Sequence, residues 1–488
     1  MSLFGEHLRS LVENNKVNIY ALAKQAGLER TAIHKIMSGG RIPAEEFVQK
    51  LADALPLSPE ERRRFLESYQ ISSIGELRYR QRTQVKELIE SIAQIEKDIG
   101  TRQNHTGATP APVGDTNTVA IGNFAVNNLV RSAIAEALSN ERKQSIDFVV
   151  SDGYQYFYNE LITGYIQYPK TQIRQIVTFL KKVDFIENSN ANIKLLTQIL
   201  PLAFVSGTGY HPHYIYKATS DVELTQAMPY FIIISSEKLV LINKELNRAA
   251  LICDRDIVDM YIESFEVMLT RSKPLIESFD SAFEILEYTM NVYDRSKSEP
   301  FHWIEPEPCI GLFFTEDLID RVIKPDIPNR NVLTKMANRH YSFIRENLLK
   351  NINVCTAEGT LRLIDTGMVY YTPKELVDPI PRSLMKDLLV KLQKRIEDKR
   401  VKVLFSNPSK IILPGNTLLA ISRLTGINFI MSIGDGSQPS KYLCINLSED
   451  SINEAFVDFV ESIEESGLVY CEDESANTIA KIISEIGV

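Results

Sequence analysis

Through the first hundred residues apolar side chains recur every three or four positions, in short stripes broken by turn residues. Phe4, Leu8 and Leu11 predict an opening helix, Leu22, Ala23 and Ala26 a second, Ala32, Ile33 and Ile36 a third, and Val48, Leu51 and Leu55 a fourth entered through Pro43-Ala44-Glu45-Glu46. A fifth follows Ser58-Pro59-Glu60-Glu61, where Ser58 is a capping residue and Pro59 takes a first helical position that needs no N–H. Residues 76–99 form one uninterrupted amphipathic stretch. Its stripe of Val85, Leu88, Ile92, Ile95 and Ile99, spaced by three and four in alternation, has the period of a two-stranded coiled-coil seam, which points to dimerisation through this helix; the alternative is a connecting helix that lays the stripe on its own chain. Residues 100–120 are small, polar and punctuated by Pro and Gly, the composition of a flexible linker.

From residue 121 the pattern mixes two periods. Residues 146–150, 230–235 and 239–243 read as strands, the last two as a hairpin across Ser236-Glu237-Lys238, while 154–162 and 173–182 carry helical stripes. The Pro-rich stretch 299–309 suggests a break between subdomains. Beyond it, 333–349, 384–396 and 452–463 read as helices, and 401–405, 410–413, 418–421, 428–433 and 442–447 as strands. No repeat of roughly 20–50 residues is present, which argues against a solenoid. The expected organisation is multi-domain: an all-α five-helix domain at 1–70, a helical connector at 71–99, a linker at 100–120, and a large α+β region divided into 121–300 and 301–488.

The segment from Asn18 to Pro43 carries the most specific chemistry. Asn18 is suited to cap the second helix, and Gly27 can adopt the positive φ that ends it. Ala23 is small enough for the third helix to cross closely, and Gly39-Gly40 stops that helix. On these residues, over about positions 4–69, the chain resembles the lambda-repressor-like (Xre-type) helix-turn-helix family. It departs from that pattern in lacking the Gln common just inside the first motif helix, where Ile19 or Tyr20 stands. The resemblance implies double-stranded DNA as partner, with the third helix entering the major groove. Arg30 and Lys35 then suit guanine O6 and N7, Thr31 a thymine methyl or base edge, and His34 either a donor or an acceptor, while Asn18, Lys24 and Arg41 are placed for phosphates.

Charge sharpens this only when divided. The 488 residues carry 54 basic and 63 acidic side chains, a formal net charge of -9 that, taken over the whole chain, argues against nucleic acid as a partner. Residues 16–41, however, hold Lys16, Lys24, Arg30, Lys35 and Arg41 against Glu29 alone, a local excess of positive charge on the expected reading segment. No run approaches the roughly 18 apolar residues of a membrane span. The first residues lack the basic and apolar regions of a signal peptide. Five scattered cysteines with no C-x-x-C pair look like reduced thiols. A cytoplasmic protein without membrane association is expected.

No catalytic constellation emerges. Leu363-Ile364-Asp365-Thr366-Gly367 matches the core of an aspartic protease but occurs once, whereas that chemistry needs two carboxylates sharing a proton. Gly207-Thr208-Gly209 is followed by Pro212, Gly434-Asp435-Gly436-Ser437 lacks the Lys of a phosphate loop, and His211 and His213 have no further ligand nearby. No histidine lies in an HxKxxxxD pattern. Aromatic crowding is more suggestive: Tyr154 and Tyr158 in one segment, His302 and the only tryptophan, Trp303, in another, are candidates for an effector pocket. The expected function is therefore a homodimeric, sequence-specific DNA-binding transcriptional regulator. It is not an enzyme and uses no cofactor or metal, and its large carboxyl-terminal region senses a small-molecule or peptide effector. Two alternatives are an antitoxin or phage-type immunity repressor acting through a protein partner, and an enzyme with an appended DNA-binding domain.

Overall fold

The computed structural model describes residues 2–102, 113–140, 144–150, 153–180, 189–217, 230–295, 299–347, 351–433 and 441–485, and divides into two compact units, Met1–Gln84 and Val85–Val488. The first contains α1 (Leu3–Asn14), α2 (Ile19–Ala26), α3 (Arg30–Met37), α4 (Glu45–Ala54) and α5 (Pro59–Ile74), followed by α6 (Glu76–Arg102), which spans the division. The helices close where the sequence stops them. Ser58 Oγ accepts from Glu61 N–H while the Glu61 carboxylate accepts from Ser58 N–H, a reciprocal capping box that satisfies two otherwise orphaned donors. Phe4, Leu8, Leu22, Ala26, Ile33, Val48, Leu51 and Phe65 form the core, all but fully buried.

Close packing of α3 rests on a glycine as well as on Ala23. A Cβ at Gly5 would lie 2.4 Å from the Ile36 carbonyl oxygen, so α1 and α3 touch backbone to backbone there. Gly5→Ala is expected to push α3 off α1 and to destabilise this unit by about 1–3 kcal/mol, the usual cost of overpacking. Urea denaturation of the variant, followed by helical circular dichroism, checks it.

The second unit contains two mixed sheets. The first has strands β1 (Thr118–Ile121), β2 (Ser145–Val149), β3 (Gln172–Leu180), β4 (Tyr210–Lys217), β5 (Tyr230–Ile234), β6 (Lys238–Ile242), β7 (Arg248–Ile252) and β8 (Lys273–Pro274). The second has β9 (Ile276–Phe279), β10 (His302–Ile304), β11 (Ile352–Cys355), β12 (Lys402–Phe405), β13 (Thr417–Ser422), β14 (Gly426–Ile433) and β15 (Lys441–Leu447). Their orders are β1-β7-β6-β5-β2-β3-β4-β8 and β12-β11-β10-β13-β14-β15-β9. Apart from the short β8, the two match strand for strand in chain order and polarity. β2, β3 and β4 are mutually parallel neighbours, as are β10, β11 and β12, and the remaining pairs are antiparallel in both. The region is thus an internal duplication. Unequal insertions hide it in the sequence: a single helix, α8 (Gln155–Gln167), joins β2 to β3, where α12 (Glu316–Val322) and α13 (Arg330–Asn347) lie between β10 and β11.

Several expectations change. Residues 173–180 are strand β3 and not a helix; Lys181 and Lys182 lie outside the described residues. Its stripe of Ile173, Ile176 and Val177 mimics a helical period because β3 is a central strand with both faces covered. Residues 410–413 form no strand, since the Asn407 carbonyl accepts from the N–H groups of Lys410 and Ile411 and turns the chain. The Pro-rich stretch 299–309 is no boundary: it contains β10, inside the second sheet, and the sheets change over at Leu275.

Two larger corrections concern 71–120. Val85, Leu88 and Ile92 are fully buried in the core shared by the two sheets, and Ile95 packs half-buried against it, so the stripe is spent on its own chain and presents no seam for dimerisation. The side chain of Ile99 lies outside the described residues. Polar anchors fix the same helix: the Glu96 carboxylate accepts from Gly415 N–H (2.8 Å) and Asn416 N–H (3.0 Å), and Glu90 from Ile412 N–H (3.2 Å). The second half of the expected linker is likewise docked. The Lys238 ammonium donates to the Val113 carbonyl (3.1 Å) and pairs with Asp115 (2.8 Å) and Glu136 (2.5 Å). Residues 103–112 lie outside the described residues.

Candidate functional site

α2 begins at Asn18, whose Oδ1 accepts from the N–H groups of Tyr20 (2.9 Å) and Ala21 (3.3 Å). That oxygen is consumed by the cap, which leaves the Asn18 amide NH2 as the group available to a phosphate. Gly27 ends α2 at φ 63° and ψ 33°, and Leu28 N–H returns to the Ala23 carbonyl at 2.9 Å, a Schellman-type closure. The chain turns through Leu28 and Glu29 into α3. Ile33, Ile36 and Met37 anchor α3 in the core, so Arg30, Thr31, His34 and Lys35 stand exposed on its outer face. The Thr31 hydroxyl donates to the Glu29 carboxylate at 3.2 Å, which holds the acid beside the start of α3. Lys24 on α2 and Arg41 beyond Gly39-Gly40 are exposed as well.

Two residues of this surface escaped the sequence reading. Tyr20 is 69% exposed at the start of α2, at the place where the motif's usual Gln is missing; a large aromatic among solvent-facing positions was the available signal. Arg9 on α1 donates from Nη2 to the Met37 carbonyl at 2.8 Å and so satisfies an open carbonyl at the end of α3. No periodicity links positions so far apart in the chain.

The effector candidates separate. Tyr154 and Tyr158 are core residues: the Tyr154 hydroxyl donates to Asn127 Oδ1 (2.8 Å), and the Tyr158 hydroxyl accepts from Gln175 Nε2 (2.7 Å). Strand alternation divides the other pair. Along 301–305, Phe301, Trp303 and Glu305 face a cavity of about 200 Å³, whereas His302 does not line it and its Nδ1 accepts from Ile352 N–H at 3.1 Å. Of the four, Trp303 is the one that lines this cavity. The other sequence candidates have structural tasks. Gly367 caps helix α14 (Ala357–Thr366) at φ 66°, so Asp365-Thr366-Gly367 is a helix terminus. Gly207–Gly209 is a single 3-10 turn, while His211 and His213 bond to Gln172 (3.2 Å) and Ser272 (3.0 Å). Residues 434–437 lie outside the described residues.

Beside the cavity lies a pair of buried acids. Burial pushes the Glu305 carboxyl well above the usual range, helped by the nearby Glu307 and opposed by the hydrogen bond from Asn353 Nδ2. Burial raises Glu307 to about 7, against a hydrogen bond from Tyr370 N–H and the Arg362 guanidinium 3.7 Å away. Because the folded chain holds this proton at pH values where the unfolded chain has released it, Glu307 costs stability progressively as pH rises from about 4.5 to 7. Buried His302 and His340, both lowered to about 4, act in the opposite sense below pH 6.5, so the test is a difference between variants. Glu307→Gln is expected to gain about 2–3 kcal/mol relative to the parent between pH 5 and pH 8. Denaturant titrations of both proteins across that range measure it.

Comparison with known proteins agrees with the first unit. Residues 3–65 match the family model described as a helix-turn-helix domain. This places a helix-turn-helix domain at the amino-terminal end, of the kind expected from Asn18–Pro43, and with its basic exposed α3 it is a DNA-binding arrangement. No curated protein sequence matches the chain. Among solved structures, an archaeal chromatin protein, TrmBL2, whose structure is described as showing a novel mode of DNA binding, aligns at 12% identity over 55% of this chain and 98% of its own, with a TM-score of 0.22. Polyphosphate kinase from Porphyromonas gingivalis aligns at 10% identity over 78% and 60%, TM-score 0.22. Phosphatidylserine synthase from Haemophilus influenzae aligns at 8% identity over 81% and 97%, TM-score 0.23. Scores this low establish no common fold. No helix among the described residues is long and apolar enough to cross a membrane.

Proposed function

We propose that the protein is a sequence-specific DNA-binding transcriptional regulator that acts as a homodimer, with its duplicated α+β region serving as the sensor. The observation that carries the DNA-binding part is the outer face of α3, where Arg30, Thr31, His34 and Lys35 are exposed on a helix held rigidly by Ile33 and Ile36. Arg30 and Lys35 read guanine edges, Thr31 and His34 contact neighbouring bases, and Lys24, Arg41, the Asn18 amide and the Tyr20 hydroxyl set the register on phosphates. One such helix makes few base contacts, and two related by a two-fold axis convert weak binding into useful discrimination. With the α6 stripe buried in its own chain, the dimer contact falls elsewhere on the protein. Regulation works by binding and not by catalysis: the effector shifts the population of dimers able to span two half-sites.

Selection of bound sequences from random duplex DNA is expected to return a two-fold symmetric site, and light scattering of the full chain a dimer. Enrichment of no sequence would remove the reading of α3 as a recognition helix, and a monomer that binds a single half-site would remove the dimer.

A further inference from the structure

The cavity of the second half has a chemistry that its surroundings leave unbalanced. It lies between the sheet and the helices α11 (Ala282–Arg295), α12 and α13, and is walled by aliphatic and aromatic side chains. Aromatic rings crowd one side: Phe301 and Trp303 lie 5.5 Å apart between centroids, and Tyr293 meets Phe301 edge-on at 5.6 Å. Phe314, Tyr341, Tyr371 and Tyr442 add further rings to the lining. Ring faces carry negative electrostatic potential.

Glu305 lines the same cavity and is 3% exposed. Asn353 Nδ2 donates to its Oε1, and among the described residues no hydrogen bond reaches the other oxygen and no basic side chain pairs with the carboxyl. The remaining charged lining residue, Asp378, is also an acid and stands at an exposed position, while no Lys or Arg lines the cavity among the described residues. The lining groups able to carry negative charge are Glu305 and Asp378; burial alone favours the protonated Glu305, and His340, whose basicity burial depresses, is neutral near pH 7. A positively charged guest favours the ionised carboxylate over the protonated acid and pairs with it, and aromatic faces add to that gain. An anion would meet Glu305 and Asp378 with nothing to neutralise it.

We propose that this cavity binds a small lipophilic organic monocation, such as a substituted ammonium, whose charge is met by Glu305 and the aromatic faces and whose apolar body fills the aliphatic end. The site stands on the cavity alone; only its role as the effector site rests on the regulatory reading above. No covalent step is involved.

Trp303 is the only tryptophan of the chain and lines the cavity, so its fluorescence reports occupancy without DNA. Phenyltrimethylammonium, its neutral isostere tert-butylbenzene and the anion benzoate differ chiefly in charge and serve as probes on the full-length protein. The expected result is that the cation perturbs Trp303 emission with an affinity about tenfold or more above the neutral isostere, with no response to benzoate. Glu305→Gln, which keeps an oxygen for Asn353, should bring the cation and the neutral isostere to within about threefold of each other, with calorimetry as a second readout. Equal or tighter binding of tert-butylbenzene to the parent protein, a cation preference that survives in Glu305→Gln, or no response to any probe at millimolar concentration would each overturn the proposal. Failure of the DNA selection with intact cation binding would instead remove the regulatory reading and leave the site standing.

Discussion

Arg30→Ala weakens binding to the selected DNA site by about 1–3 kcal/mol, roughly ten- to a hundredfold, and relaxes the base preference at one position of each half-site. Lys35→Ala has the same kind of effect one helical turn further along α3. Both side chains are exposed and lie outside the core, so the folded unit loses nothing that would confound the measurement. Lys24→Ala and Arg41→Ala behave differently: affinity falls for all sequences alike, and the slope of log affinity against log salt flattens by about one per residue, because a phosphate contact releases a counterion and carries no base information. Repeating the selection and a salt titration with each variant separates the two classes. If Arg30→Ala and Lys35→Ala enrich the same site at unchanged affinity, the reading face is elsewhere.

Leu88→Ala lowers the stability of the carboxyl-terminal unit by about 2–5 kcal/mol, the cost of deleting buried methyl groups and leaving a cavity behind. The side chain has no exposed surface and sits in the core beneath both sheets with Ile89 and Ile92. A coiled-coil seam at the same residues behaves otherwise. The variant would then shift the monomer–dimer equilibrium, and the midpoint of unfolding would rise with protein concentration through this helix. Urea denaturation followed by Trp303 emission, at two protein concentrations well apart, distinguishes the outcomes. A Leu88→Ala protein of unchanged midpoint and weakened self-association would restore the seam and refute the packing described for α6.

The coiled-coil expectation fails for a reason that is general to stripes of this kind. The spacing of Val85, Leu88, Ile92 and Ile95 specifies that one face of α6 is apolar; whether a second copy or the same chain covers it depends on which surface is nearer. Here the sheets and Glu96's three partners in 415–417 are part of the same unit and take it first. Strand β3 shows the same ambiguity in another form. A strand buried on both faces loses the alternation that would identify it, and Ile173, Ile176 and Val177 then fit a helical period by accident. Tyr154 and Tyr158 looked like pocket residues because aromatic crowding marks both pockets and cores, and only their hydrogen bonds to Asn127 and Gln175 place them in the core. Trp303 had the same appearance and does reach a cavity, by falling on the opposite side of β10 from His302.

What the sequence determined by itself is the amino-terminal domain. Its helices are bounded by caps and glycines that act within about a turn, and its exposed basic positions follow from the helical period once Ile33 and Ile36 are assigned inward. What only the tertiary structure decided is the rest: the duplication of the two sheets, the capture of α6, and the meeting of Trp303 with Glu305 in a cavity that no Lys or Arg lines among the described residues. Those features depend on pairings between residues far apart in the chain. Hydrophobic patterning states that a position is buried and does not state against what, so partner choice, sheet order and cavity chemistry become visible only when the chain is folded.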